Sequence, residues 1–192
     1  MSAELAAELI ALAAEDQRVR SELLAEGTLF GGYHARMEAV HRRNASRLAE
    51  ILAAVGWPGE SLVGVEGATA AGMIAQHAIG EPDFQRACLV ALERAAARGE
   101  VPAWQPAMLE DRIRVFEGRL QRYGTQLDID DDGRVHPHPI EDPDGVEERR
   151  RAVGLDSLAE RLARAERLPA PVDRAEQQRG YERWLREVGW RT

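Results

Sequence analysis

The stretch "VEGATAAGMIAQHA", Val65 to Ala78, is small or apolar on nearly every side when wound as an α-helix. A helix with no polar face has no stable place on a surface, so other elements must surround it. Its polar positions are Glu66 and Thr69 near the start, then Gln76 and His77 in the last turn. His77 shares a stripe with Ala70, Met73 and Ile74 by helical spacing. A carboxamide and an imidazole in such surroundings need partners, because an unsatisfied buried polar group costs about 1–3 kcal/mol. The chain can supply them, or a ligand can.

The flanking segments carry the one-sided patterns that could enclose such a helix. Leu5, Leu9, Leu12, Val19 and Leu23 predict a helix over about 3–25. Met37, Val40, Leu48, Ile51, Leu52 and Val55 predict a second over about 33–55, closed by Gly56 with Pro58 just beyond. The apolar helix itself spans about 65–79. A fourth starts near Pro82 and uses Phe84, Cys88, Leu89, Leu92 and Ala95; a fifth, about 104–121, uses Met108, Leu109, Ile113, Phe116 and Leu120. The period then changes. "YGTQLDIDDDGRVHPHPI" predicts a β-hairpin of about 124–129 with 134–138. Short helices follow near 143–152 and 157–167, the latter with Ser157 and Glu160 as a capping box. The expected fold is mainly α, a single-domain bundle of five to eight helices with one small hairpin. Residues 1–168 form the helical domain and 169–192 a C-terminal tail helix joined through "LPAPV". Trp184, Leu185, Val188 and Trp190 would dock that tail on the body, on a partner or on another copy.

Composition narrows the function. Net charge is -8, which opposes a general nucleic-acid or anionic-membrane surface. All 25 basic residues are arginine, so Schiff-base chemistry on lysine is excluded. Cys88 is the single cysteine and reads as core, leaving no internal disulfide and no cysteine zinc site. The N-terminus lacks the basic start and apolar block of a signal peptide, and no apolar run nears the roughly 20 residues that span a bilayer. A cytoplasmic location is expected. No cofactor is expected, since no glycine-rich phosphate loop appears, and Ser61 lies outside any nucleophile elbow.

Further polar residues sit where apolar ones are due. Asn44 falls on the stripe of Val40, Leu48 and Ile51, as a core tie or a pocket wall. His41, one step away, either lines the same edge or, the favoured reading, is solvated helix surface. Asp111 lies with Ala107 and Gly118 on a stripe of small residues, next to Arg112. The helix then runs into Gln121, Tyr123, Thr125 and Gln126, at the kind of junction that lines a pocket mouth. Asp128, Asp130 and Asp132 imitate a calcium loop, but the glutamate due at the twelfth position is Pro139, so a solvated hairpin turn is expected. His136 and His138 share one side of a strand, without an evident third ligand, and no metal site is assigned to them.

The ordered series "GWPGESLVG", "IAQHAIGEPDFQ", Gly99–Glu100, "LEDRIRVFEGRLQRYGTQ" and "PIEDPDGVEERRRAVGL" resembles an uncharacterised bacterial family, domain of unknown function 6624, over about residues 10–165. The resemblance implies that Gln76, His77, Gln85, Asp111, Arg112, Gln121, Tyr123 and Gln126 match family motif positions. Asp16 and Gln17 match an early one. It implies no reaction.

Two functions fit. In the first, a small-molecule enzyme of hydrolase or lyase type uses His77 as general acid or base. Asp111 orients it, Arg112 holds an anionic group, and Tyr123 and the carboxamides position a small polar substrate. In the second, the same residues form a structural hydrogen-bond network in a non-catalytic binding or interaction module.

Overall fold

The computed structural model describes residues 1–29, 32–130, 132–165 and 174–192. The chain divides into two compact units, Met1–Val101 and Pro102–Thr192. Among the described residues there are eight α-helices and one two-stranded antiparallel sheet, the mainly α architecture with a small hairpin that the periodicities predict. The linker expected at 168–172 lies outside the described residues. No described helix is long and apolar enough to cross a membrane.

The first unit holds α1 (Ala3–Ala25), α2 (Ala35–Val55), α3 (Glu60–His77) and α4 (Pro82–Ala97). Ser2 caps α1, its hydroxyl accepting from Leu5 N–H, and Pro82 opens α4. Helix α3 packs against α1, α2 and α4, as its missing polar face requires. Ala68, Ala70, Ala71, Ile74 and Ala75 are all buried. Glycine is needed at 67 within α3 itself: a Cβ there would lie 2.8 Å from Val63 Cβ, whereas Ala6 Cα of α1 would be in van der Waals contact at 3.4 Å.

Helix α3 begins five residues earlier than its sequence pattern suggests, because its first turn is built differently. Gly64 adopts φ 71° and ψ 172°, a break that only glycine takes without strain. The Glu100 carboxylate accepts from Ser61 N–H at 3.0 Å and from its hydroxyl, and the Glu100 carbonyl accepts from Glu60 N–H at 2.9 Å. Residues far along the chain thus satisfy the donors exposed at this helix start. Gly59 leaves room for them, since a Cβ there would sit 2.5 Å from the Glu100 carboxylate.

The second unit holds α5 (Trp104–Phe116), β1 (Leu127–Ile129), β2 (Val135–Pro137), a 3-10 turn (Pro143–Gly145), α6 (Val146–Ala152), α7 (Leu158–Ala163) and α8 (Arg174–Glu187). The strands pair with Leu127 opposite Pro137 and Ile129 opposite Val135. The acidic segment between them is a hairpin turn, with Asp130 accepting from Asp132 N–H and Arg134 N–H. Ser157 and Glu160 form the expected capping box on α7. Helix α5 stops at Phe116 rather than near 121, because Gly118 takes φ 76° and Arg191 donates to the carbonyls of Val115 and Phe116. The C-terminal segment docks on α5 within its own unit. Phe116 meets Trp190 at 5.1 Å and Trp184 at 5.9 Å between ring centroids, and Leu185 is fully buried.

Gly64→Ala is expected to destabilise the protein by about 1–3 kcal/mol in denaturant unfolding. Val65→Ala, at the exposed neighbouring position, should change little. Equal effects from the two would refute the strained-backbone explanation.

Candidate functional site

Helix α1 carries one acid on its buried stripe. Leu9, Val19 and Leu23 lie on that face, and Asp16 sits among them at 1% exposure. A carboxylate so placed needs strong partners. The neighbouring helices provide two imidazoles. His77, in the last turn of α3, sets Nδ1 2.9 Å from both Asp16 oxygens. His41, on α2, places Nε2 3.2 Å from Asp16 Oδ2. That is ion-pair distance, yet the His41 ring is not aligned for a hydrogen bond and its Nε2 is buried without one. The two rings lie 5.4 Å apart. Behind His41, the Tyr33 hydroxyl is 2.9 Å from Nδ1.

Electrostatics match this geometry. Burial alone would raise the Asp16 pKa, but the His41 and His77 imidazoles outweigh it and hold the carboxyl well below its ordinary range. Asp16 is therefore ionised and can only accept, so His77 Nδ1–H is the donor. Burial pushes the Tyr33 hydroxyl pKa upward, so the phenol keeps its proton. The His77 side chain is 25% exposed, against 1% for Asp16 and 9% for His41, which makes it the most accessible member of the cluster.

Two buried carboxamides fix the backbone beneath these groups. Asn44 donates to the Leu12 carbonyl at 3.0 Å, one turn before Asp16, and so ties α2 to α1. Gln85 of α4 donates to the carbonyls of Ala75 and Gln76 at 2.7 and 3.0 Å, where α3 ends. These carbonyls lack the amide partners of a continuing helix, and Gln85 supplies them. Gln17 donates to Met73 Sδ at 3.3 Å beside the cluster, and Gln76 is half-buried next to His77.

Two sequence expectations need correction. His41 is buried, not solvated, because it shares the inward stripe of Met37, Asn44 and Leu48. The carboxylate that orients His77 is Asp16 and not Asp111. Asp111, fully buried in the second unit, instead organises the loop that follows its own helix. It accepts from the N–H groups of Arg122, Tyr123 and Thr125 and from the Thr125 hydroxyl, at 2.6–3.1 Å. Tyr123 is positioned by that loop, with Arg150 donating to its carbonyl. Gln121 is fully buried; it donates to the carbonyls of Gln126 and His138 and accepts from Gln126 N–H. Gln126 donates to the Thr125 hydroxyl at 3.1 Å. Arg112 belongs to the same unit, and burial lowers its pKa to about 10.

Spacing gives Asp16 no reading of its own (only the resemblance does), and it leaves His41 between the Asn44 edge and solvated surface. Their signal is a polar residue on an otherwise apolar stripe, Leu9–Leu12–Asp16–Val19–Leu23 on α1 and Met37–His41–Asn44–Leu48 on α2. Among the described residues, Asp16, His41 and His77 form the one group of three such side chains with donor atoms within 4.8 Å of one another. That donor set can hold a proton or a metal ion.

Comparison with protein families matches residues 3–168 to a family of unknown function, DUF6624. The chain belongs to this family. No curated protein and no solved structure matches it. The matched range spans the Asp16–His41–His77 cluster and the Asp111 loop alike.

A carboxyl more acidic in the folded than in the unfolded chain adds stability above its unfolded pKa, near 3.8, and loses that stability as pH falls through its folded value. In chelator-containing buffer, Asp16→Asn should therefore be less stable than wild type near neutral pH, with the difference shrinking below about pH 4. A difference independent of pH would refute the ionised, paired carboxylate. Asp111→Ala strands several backbone donors and should cost roughly 3 kcal/mol. Asp132→Ala at the exposed hairpin turn is the near-neutral control.

Proposed function

We propose that this family member is a small-molecule enzyme in which His77 transfers a proton in a hydrolase- or lyase-type reaction, oriented by Asp16. One observation carries the reading: a buried carboxylate holds Nδ1 of the most exposed imidazole in the cluster. The carboxylate selects the Nδ1–H tautomer, so the Nε2 lone pair, on the opposite ring edge, becomes the base. It also stabilises the imidazolium that forms when the proton arrives. Such positioned acid–base groups contribute about 10²–10⁴-fold in rate. Tyr33 and His41 brace the carboxylate from behind, and Gln17, exposed beside the cluster, offers hydrogen bonds suited to a small polar substrate.

A second reading keeps one observation of its own. Asn44, Gln85, Asp111 and Gln121 are all engaged in holding backbone groups. That pattern favours a non-catalytic binding or interaction module if the histidine cluster is likewise only structural.

A thermal-shift screen against polar and anionic metabolites, on wild type and His77→Ala, separates the two. The enzyme reading expects a ligand that raises the wild-type Tm, followed by turnover of it or a close analogue. It expects His77→Ala to lose stability, because the buried Asp16 loses its donor, and, assayed below its own Tm, to lose at least about 100-fold in turnover. A large loss of stability with every ligand response intact would assign His77 to structure and overturn the proposal.

A further inference from the structure

We infer that Asp16, His41 and His77 form a binding site for a divalent transition metal of the zinc class. The inference concerns the site assigned above and rests on its being functional, but it predicts a property that can be measured without a substrate. Three features carry it.

The first is the donor set. Two imidazoles and one carboxylate from three different helices converge, with donor atoms 2.9 and 3.2 Å from Asp16 and all within 4.8 Å of one another. Donors that each lie about 2.0–2.2 Å from a common ion stand roughly 3–4 Å apart. Small adjustments of the side chains would therefore enclose an ion.

The second is His41 Nε2. It is buried, faces the carboxylate at close range, and makes no hydrogen bond. A buried nitrogen in that condition costs free energy unless something fills the geometry it offers. An ion between it, Asp16 and His77 Nδ1 does so.

The third is the support behind the ligands. Histidine ligands are usually held by a hydrogen bond at their other ring nitrogen. Tyr33 is in that place for His41, 2.9 Å from Nδ1. With Nδ1–H donated to the phenol oxygen, Nε2 presents its lone pair to the ion. Asn44 and Gln85 lock the backbone next to Asp16 and His77. Three protein ligands on one side, with the most exposed of them facing outward, leave room for water or substrate in a further position, as in catalytic sites.

Binding has a definite proton balance. His77 Nδ1 loses its proton to solvent and Nε2 takes one up, so the ring stays neutral with no net proton released, and the ion takes the Nδ1 position against Asp16. Metal and proton compete for one place, and His77 changes tautomer when the metal wins. A water on the ion would be acidified by it, and His77, protonated at Nε2 in this form, would remain the group that donates a proton.

The test uses full-length protein stripped with chelator and titrated with Zn²⁺, with Mg²⁺ in parallel. Competition against a chromophoric chelator should show one equivalent of Zn²⁺ and no Mg²⁺. Long-range ¹H–¹⁵N NMR of wild type should show His77 moving from the Nδ1–H to the Nε2–H form, with His41 shifted and His34, His136 and His138 unchanged. His41→Gln and His77→Gln should each weaken binding by about 100-fold or more. Absence of binding by wild type, affinity kept in both variants, or perturbation confined to His136 and His138 would overturn the inference. Wild type that binds no metal yet turns over a ligand through His77 removes this inference alone. Stoichiometric metal with no ligand or turnover removes the enzyme reading alone.

Discussion

The Asp16 carboxylate is the constraint around which the first unit is arranged. An ionised group at 1% exposure cannot be left without partners, and the two imidazoles that face it come from two other helices. Helices α1, α2 and α3 must therefore keep one mutual arrangement for the charge to be tolerated. The rest of the unit serves that arrangement. Small residues on α3 let α1 come close, Asn44 ties α2 to α1, and Gln85 finishes the helix from which His77 projects.

Much of the fold was legible in the sequence, since amphipathic periodicity and capping chemistry are local properties. The α7 capping box, the Gly56 terminus of α2 and the hairpin around the acidic turn all appear where local rules place them. The errors fall where distant residues act. Helix α3 starts early because Glu100 satisfies its first turn, and α5 ends early because Arg191 occupies its last carbonyls. Neither partner is visible in a local window.

The site was partly legible. His77 stood out because its helix is otherwise apolar, and Asn44 because it interrupts a stripe. Its partner acid was harder to find. Asp111 and Asp16 both lie on inward-facing positions, and spacing alone does not say which of two buried acids meets a given imidazole. Asp111 answers a different need, the backbone donors of a loop with Gly124 at φ 68°. Family motifs in this chain thus mix two kinds of residue. "QHA" carries the imidazole that pairs with Asp16, whereas "DR" and "YGTQ" contain the residues that shape a loop.

The contact at Gly67 has one more implication. A methyl group at Gly67 would meet Ala6 Cα at van der Waals distance, 3.4 Å, so no long side chain lies between α1 and α3 at this point. Long flexible side chains can absorb small displacements; closely packed small residues transmit them. The interval therefore acts as a fixed gauge, and the separation of carboxylate and imidazole further along the same two helices inherits its tolerance.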